Sequence, residues 1–201
     1  MNRREAIVGV ACGALGLSSI AAVKGAENGG KDPLEILTKV RSASKFSNKP
    51  VPEEDLKKII AAGVNAPSGH NVQPWFFAAV TNRELLDEID KLAGLNPGRL
   101  TLTGSPAAVF VCTDGSSFAD FDAGGACGRM GAAAVLLGYG TKTIASPCKV
   151  VNEKYKEKLG IPENFNARAA FLVGIEETPA FDGVSGATER APFEEKVSFV
   201  K

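Results

Sequence analysis

Residues 67–75 read Pro67, Ser68, Gly69, His70, Asn71, Val72, Gln73, Pro74 and Trp75, the most informative run in the chain. The run is too irregular for a helix and too polar for a buried strand, so it forms a shaped loop. Pro67 and Pro74 fix φ at two points, and Gly69 is the residue expected to take a backbone path closed to other side chains. Ser68, Asn71 and Gln73 offer donors and acceptors suited to a flat heterocycle that needs hydrogen bonds along one edge. Turn chemistry alone also brings Pro, Ser, Gly and Asn together, so a plain surface loop is the competing reading. His70, the only histidine, is either a proton donor or simply a hydrophilic loop residue, since no partner for it is visible in the sequence.

The surrounding elements must hold that loop. Asp32 and Pro33 open a helix by capping, and Leu34, Leu37, Val40 and Arg41 follow a helical stripe. A second helix opens at Pro52 with Glu53, Glu54 and Asp55 near its positive end, buries Leu56, Ile59 and Ile60, and ends near Val64, where the loop begins. Residues 75–80 form an apolar strand. Thr81 and Asn82 then cap a helix that carries Leu85, Leu86, Ile89 and Leu92 and stops at Gly94. Residues 107–113 are a second strand without alternation, which requires both faces to be covered and places helices on two sides of the sheet.

Residues 121–138 read as a long helix despite Gly124, Gly125, Gly128 and Gly131, each of which costs about 1 kcal/mol of helix propensity. Gly124, Gly128 and Ala132 lie at i, i+4 and i+8, a smooth stripe that admits another backbone, either at a helix crossing within one subunit or between subunits. A short strand at 141–145, a helix ending near Leu159 and Gly160, and a strand at 169–175 complete the core. Val197, Phe199 and Val200 read as a short terminal strand detached from it.

With 201 residues and 44% hydrophobic content, one domain is expected. The 23 basic and 23 acidic residues cancel and are mixed along the chain, which argues against nucleic acid as a partner. Residues 1–26 read as an export signal: Arg3 and Arg4 precede a charge-free run from Ala6 to Val23, and the start resembles a twin-arginine signal with Ala6 in place of the usual Phe. Ser19, Ile20 and Ala21 suit cleavage, but the run is also close to the ~20 residues that span a bilayer, so an uncleaved anchor stays open and is the sole membrane contact foreseen. Residues 27–31 are a glycine-rich linker and 32–201 the folded domain. Cys112, Cys127 and Cys148 show neither disulfide nor metal-site spacing, and packing is the role expected for Cys112 and Cys127.

Several motifs, taken in order, resemble the FMN-dependent nitroreductase family. They are Arg41 to Phe46 with Pro50 to Pro52; the Pro67 to Trp75 loop; Asp122, Gly124, Ala126, Met130, Ala132 and Ala133, followed by Leu137 to Thr141; Leu159 to Pro162; Val173 and Gly174; and finally Arg190, Pro192 and Val197. The resemblance implies an α+β fold, a three-layer α/β/α sandwich around a mostly antiparallel sheet. It also implies a homodimer through the long helix with two FMN sites at the interface, the C-terminal segment crossing to the partner. Arg41, Ser42 and Arg190 would meet the FMN phosphate, because a guanidinium makes two charge-assisted bonds to it. Val40, Ser44 and Thr188 stand where relatives often carry basic residues; Lys45 would compensate and Ser44 would donate a neutral bond. Ser68, Asn71 and Gln73 would address the ribityl chain or ring edge with Pro67 packing against the ring, while Thr143, Ile144 and Ala145 would present backbone N–H groups to the N5 and O4 side.

Phe118 and Phe121 would form one wall of the pocket. The implied activity is transfer of hydride or electrons from reduced flavin to a small acceptor, a nitroaromatic or quinone, with no metal and no protein nucleophile. The electron donor is not identified, as the chain carries no dinucleotide-binding fingerprint. Two rivals remain: a non-enzymatic binding protein on the same fold, and a flavoenzyme with a different redox reaction.

Overall fold

The computed structural model describes residues 32–39, 42–94, 100–177 and 190–200. Residues 1–31, and with them the export signal and linker read from the sequence, lie outside these, as do Val40, Arg41 and Thr188.

The organising strand is β2 (Ala107–Thr113), buried at all seven residues. Its side chains alternate between two separate cores: Ala108, Phe110 and Cys112 enter one, and Ala107, Val109 and Val111 the other. An unbroken apolar strand thus serves two layers of helices at once. On one side β2 pairs antiparallel with β1 (Trp75–Val80), Phe77 opposite Val111. On the other it pairs antiparallel with β4 (Asn166–Gly174), which in turn pairs antiparallel with β3 (Gly140–Ile144). The order is β1-β2-β4-β3. The expected α+β three-layer sandwich is borne out, with every pairing among the described strands antiparallel.

One face of the sheet is covered by α3 (Arg83–Ala93) and α5 (Cys148–Lys154), which set Leu86, Ile89, Val151 and the following Tyr155 against Phe110 and Leu172. On the other face, α2 (Glu53–Val64) and α4 (Ala119–Leu136) set Leu56, Ile59, Met130 and Ala134 against Val109, Phe171 and Val173. Each large apolar side chain removed from water contributes about 1.5–3 kcal/mol. A one-residue slip of any strand would exchange the two cores, and so the register is strongly specified. The capping expected for α3 is present: Asn82 Oδ1 accepts from the Leu85 N–H at 3.0 Å, and Gly94 closes the helix at φ 62°.

The α2–α4 crossing depends on Gly63, where an added Cβ would lie 2.7 Å from Met130 Cγ. The α4 glycines behave differently. A Cβ at Gly124, Gly125 or Gly128 would meet nothing within 4 Å, so that stripe is not used by a crossing among the described residues of this chain.

Two expectations require correction. In α1 (Pro33–Lys39) the buried residue is Ile36, while Leu34 and Leu37 of the predicted stripe face solvent. Val197, Phe199 and Val200 form no strand; after a 3-10 turn at Phe193–Glu195 the tail runs exposed, pairing with no strand among the described residues. Boundaries also move by a few residues, α4 starting at Ala119 and β4 at Asn166. The cysteines among the described residues are unpaired: Cys112 and Cys148 are buried and Cys127 is half-buried.

Candidate functional site

The 67–75 loop leaves the C-terminal end of α2 and enters β1. A 3-10 turn at Gly69–Asn71 forms its apex, and Ser68 Oγ closes it by accepting from the Gln73 N–H at 2.9 Å. The unusual backbone is not at Gly69. It lies at His70 (φ 51°), Asn71 (φ 58°) and Gln73 (φ 52°), three side-chain-bearing residues in the left-handed region. Each costs about 1–2 kcal/mol, least for Asn, whose short amide tolerates this conformation best. Such a loop persists only if its surroundings hold it.

Helix α4 does the holding. Asp122 Oδ2 accepts from the Gly69 N–H at 3.2 Å, and Arg129 Nη1 donates to the Asn65 carbonyl at 2.7 Å. Between them Ala126 packs with Ala66 and Trp75 in a small core of its own. Asp122, Ala126 and Arg129 stand at i, i+4 and i+7, one face of the helix. Asp122 is named in the sequence motifs without a role and Arg129 not at all; the readable signal was this spacing opposite a loop rich in backbone donors. Pro67, His70, Asn71 and Gln73 are exposed as a result. Gln73 Nε2 donates to the Asn71 carbonyl at 3.2 Å, so Gln73 and Ser68 are partly spent on loop shape, while the Asn71 amide has no side-chain partner among the described residues.

The second group gathers at the edge of the sheet. The Ala43 N–H donates to the Thr141 carbonyl at 2.8 Å, the Glu177 N–H to the Lys45 carbonyl at 3.2 Å, and Phe46 bridges to Glu176, which lays Ser42, Ser44 and Lys45 beside β3. Ser42 and Ser44 are exposed. Lys45 is not a free cation: its Nζ lies 2.6 Å from Glu177, an exposed pair worth at most about 1 kcal/mol. Backbone groups alternate in direction along a strand, and Thr141 points towards Ala43. Thr143 therefore turns its N–H to the same open edge, whereas Ile144 turns its own towards β4. Of the three N–H groups expected to serve a flavin, Ile144 is thus committed to the sheet. Ala145 follows the strand and is exposed, its carbonyl accepting from the Cys148 N–H.

A cavity of about 620 Å³ opens beside this edge, lined by Ala123, Gly124, Cys127, Thr143, Cys148 and Arg168 among others. Cys127 Sγ sits 3.8 Å from Thr143 Oγ1, and burial raises the thiol pKa against a smaller opposing effect of that hydroxyl. Arg168 grips Asp120 through Nε and Nη2 at 3.0 and 2.7 Å. Phe118 and Phe121 do not wall this cavity; they are exposed and border a neighbouring depression of about 330 Å³. Arg190 is exposed at the start of the tail, and Arg41 lies outside the described residues. Among the described residues no hydrogen bond or ion pair joins the loop group to the edge group.

The donor set suits a flavin nucleotide in kind: hydroxyl and amide groups on the loop, an edge N–H at Thr143, and the exposed hydroxyls of Ser42 and Ser44 for a phosphate.

A model of the Nitroreductase family matches residues 37–96. The "Putative NADH dehydrogenase/NAD(P)H nitroreductase" of Archaeoglobus fulgidus is 31% identical over 139 residues, covering 65% of this chain and 78% of that protein. The chain belongs to the nitroreductase family. A protein of the same description from Methanothermobacter thermautotrophicus is 36% identical over 85 residues, but the match spans only 43% of its length. Among solved structures, a nitroreductase with bound FMN from Desulfitobacterium hafniense covers 85% of this chain and 99% of its own at 25% identity and a TM-score of 0.70.

Proposed function

We propose that this protein is an FMN-dependent oxidoreductase that passes hydride or electrons to a small acceptor of the nitroaromatic or quinone class. The observation that carries the reading is the loop of residues 67–75, held at positive φ at three side-chain-bearing residues and pinned to α4. Strain of this kind is retained where a ligand needs a fixed shape. Bound FMN would supply the redox chemistry itself. Asn71 and Gln73 would hold the polar edge and ribityl chain, with Pro67 packing against the ring, and Ser68 keeping the turn closed. The Thr143 and Ala145 N–H groups would favour negative charge at the ring edge. Ser42, Ser44, Arg41 and Arg190 would take the phosphate.

The site is complete only in a homodimer. The open face of Gly124, Gly125 and Gly128 would admit a second backbone, and the tail from Arg190 is exposed among the described residues. We further propose that the chain is exported by its twin-arginine-like start.

The absorbance spectrum of the purified protein tests the central reading. A flavin spectrum, present as purified or after added FMN, is expected. One observation favours a second reading, a binder without catalysis: Lys45 is already paired with Glu177, one fewer free cation for a phosphate among the described residues. Preparations that stay colourless with added FMN would decide for it.

A further inference from the structure

We infer that Asp122 is a positioning residue for the flavin loop. The inference rests on the FMN reading for its consequence and on geometry for its mechanism. Asp122 belongs to the first turn of α4, where a carboxylate is favoured by the helix dipole, and it is only 7% exposed. Its Oδ2 receives the Gly69 N–H, at the residue that starts the 3-10 turn. The next residues, His70 and Asn71, are driven into the left-handed region, and Gln73 follows. Two turns along the same helix face, Arg129 fixes the Asn65 carbonyl at the loop's entry. The loop is therefore clamped at two backbone points by opposite charges, an acceptor for an N–H and a donor for a C=O. A buried carboxylate bonded to a backbone N–H is costly to desolvate, and a loop this far from relaxed geometry is what gives it a task.

The loop offers a test that leaves Asp122 untouched. Ser68 is extended, at φ −138° and ψ 157°, which is the conformation that a following proline favours, and position 69 opens a helical turn. Gly69→Pro removes the donor, while Gly69→Ala keeps it and places a Cβ at an ordinary 3.9 Å from Asp122 Oδ2.

Asp122→Ala, Asp122→Asn, Gly69→Pro and Gly69→Ala are compared in FMN affinity by fluorescence titration, in amide exchange of residues 69–73 without FMN, and in melting temperature. Asp122→Ala and Gly69→Pro should each weaken FMN binding roughly ten- to a hundredfold and speed exchange across the loop, with melting little changed. Asp122→Asn, which keeps an acceptor oxygen, and Gly69→Ala should stay close to the parent. If Asp122→Ala and Gly69→Pro match the parent in both affinity and exchange, or if all four variants fall together, the positioning role is refuted. Should the parent itself fail to bind FMN, the flavin reading falls, and the exchange pattern alone decides for or against the clamp. Should Asp122→Ala not fold, the contrast between the two Gly69 variants decides it.

Discussion

Gly128→Leu separates a packing role from an assembly role, because the two predict opposite signs. Within the chain an added Cβ at 128 meets nothing within 4 Å, so a leucine there is free to enter solvent. Leucine is better than glycine in a helix interior by about 0.8 kcal/mol. In a lone subunit the substitution should stabilise, raising the melting temperature by about 2 °C for a domain of this size. If α4 meets its own copy across a two-fold axis, the same side chain is forced into the contact from both subunits. Overpacking costs about 1–3 kcal/mol per insertion. Two insertions then weaken association by about 2–6 kcal/mol, between roughly 30-fold and 10⁴-fold. Sedimentation velocity over a range of concentrations, run beside thermal melts, reads both quantities. Dissociation of the variant with loss of FMN is the expected result. A variant that melts higher and keeps the parent's association state and FMN affinity would refute the interface.

Arg190→Ala should lower FMN affinity by about 1.5–3 kcal/mol, ten- to a hundredfold, and Arg41→Ala similarly, whereas Ser44→Arg should tighten it; fluorescence titration of the three checks this. Tyr139 donates to Asp55 at 2.8 Å, joining the turn after α4 to the start of α2, and Tyr139→Phe should cost about 1–2 kcal/mol in denaturant unfolding at neutral pH. Lys58, and then Tyr139, lower the Asp55 pKa, so that contribution fades as acid protonates the carboxylate; burial, and then Asp55, push Tyr139 up to about 12, so its contribution is full below the ordinary tyrosine range and fades as pH rises through that value. The variant should therefore show a flatter alkaline limb and, because Lys58 remains, a partly flattened acid limb. Replacing Arg3 and Arg4 by Lys should trap FMN-loaded protein inside the cell, checked by fractionation; unchanged export would count against the twin-arginine reading.

The sheet was legible because its signals are local. The bounds of β1 and β2 follow from unbroken apolar runs, and the lack of alternation in β2 announced two cores. Asn82 and Gly94 announced the ends of α3 by capping chemistry. What stayed hidden was non-local. The loop's left-handed residues could not be read from composition, since Gly69 is the obvious candidate by intrinsic preference and the strain sits instead at His70, Asn71 and Gln73, in a loop pinned at Gly69 by Asp122 and at Asn65 by Arg129, 53 and 64 residues away in sequence. The terminal Val197, Phe199 and Val200 have strand propensity but pair with no strand among the described residues, and propensity without a partner makes no ladder. Leu34 and Leu37 keep a helical spacing, but among the described residues only Ile36 of that helix is buried. Lys45 looked available because Glu177 is brought to it only by the bridge between Phe46 and Glu176.

The unpaired cysteines bear on the route by which such a chain would leave the cell. Burial lifts Cys112 to about 12, with Cys148 nearby adding to the effect, and lifts Cys148 to about 11. At neutral pH the nucleophilic thiolate is then only about one part in 10⁵ and one in 10⁴ of each residue. Disulfide exchange needs that anion and access to it, so these two buried thiols are nearly inert to an oxidising milieu, whereas Cys127 is half-buried and lines the cavity. The same thiols in an unfolded chain have ordinary acidity and full access, free to cross-link at random. For Cys112 and Cys148, protection from mispairing is therefore a property of the finished fold, one that a chain crossing the membrane already folded would carry with it.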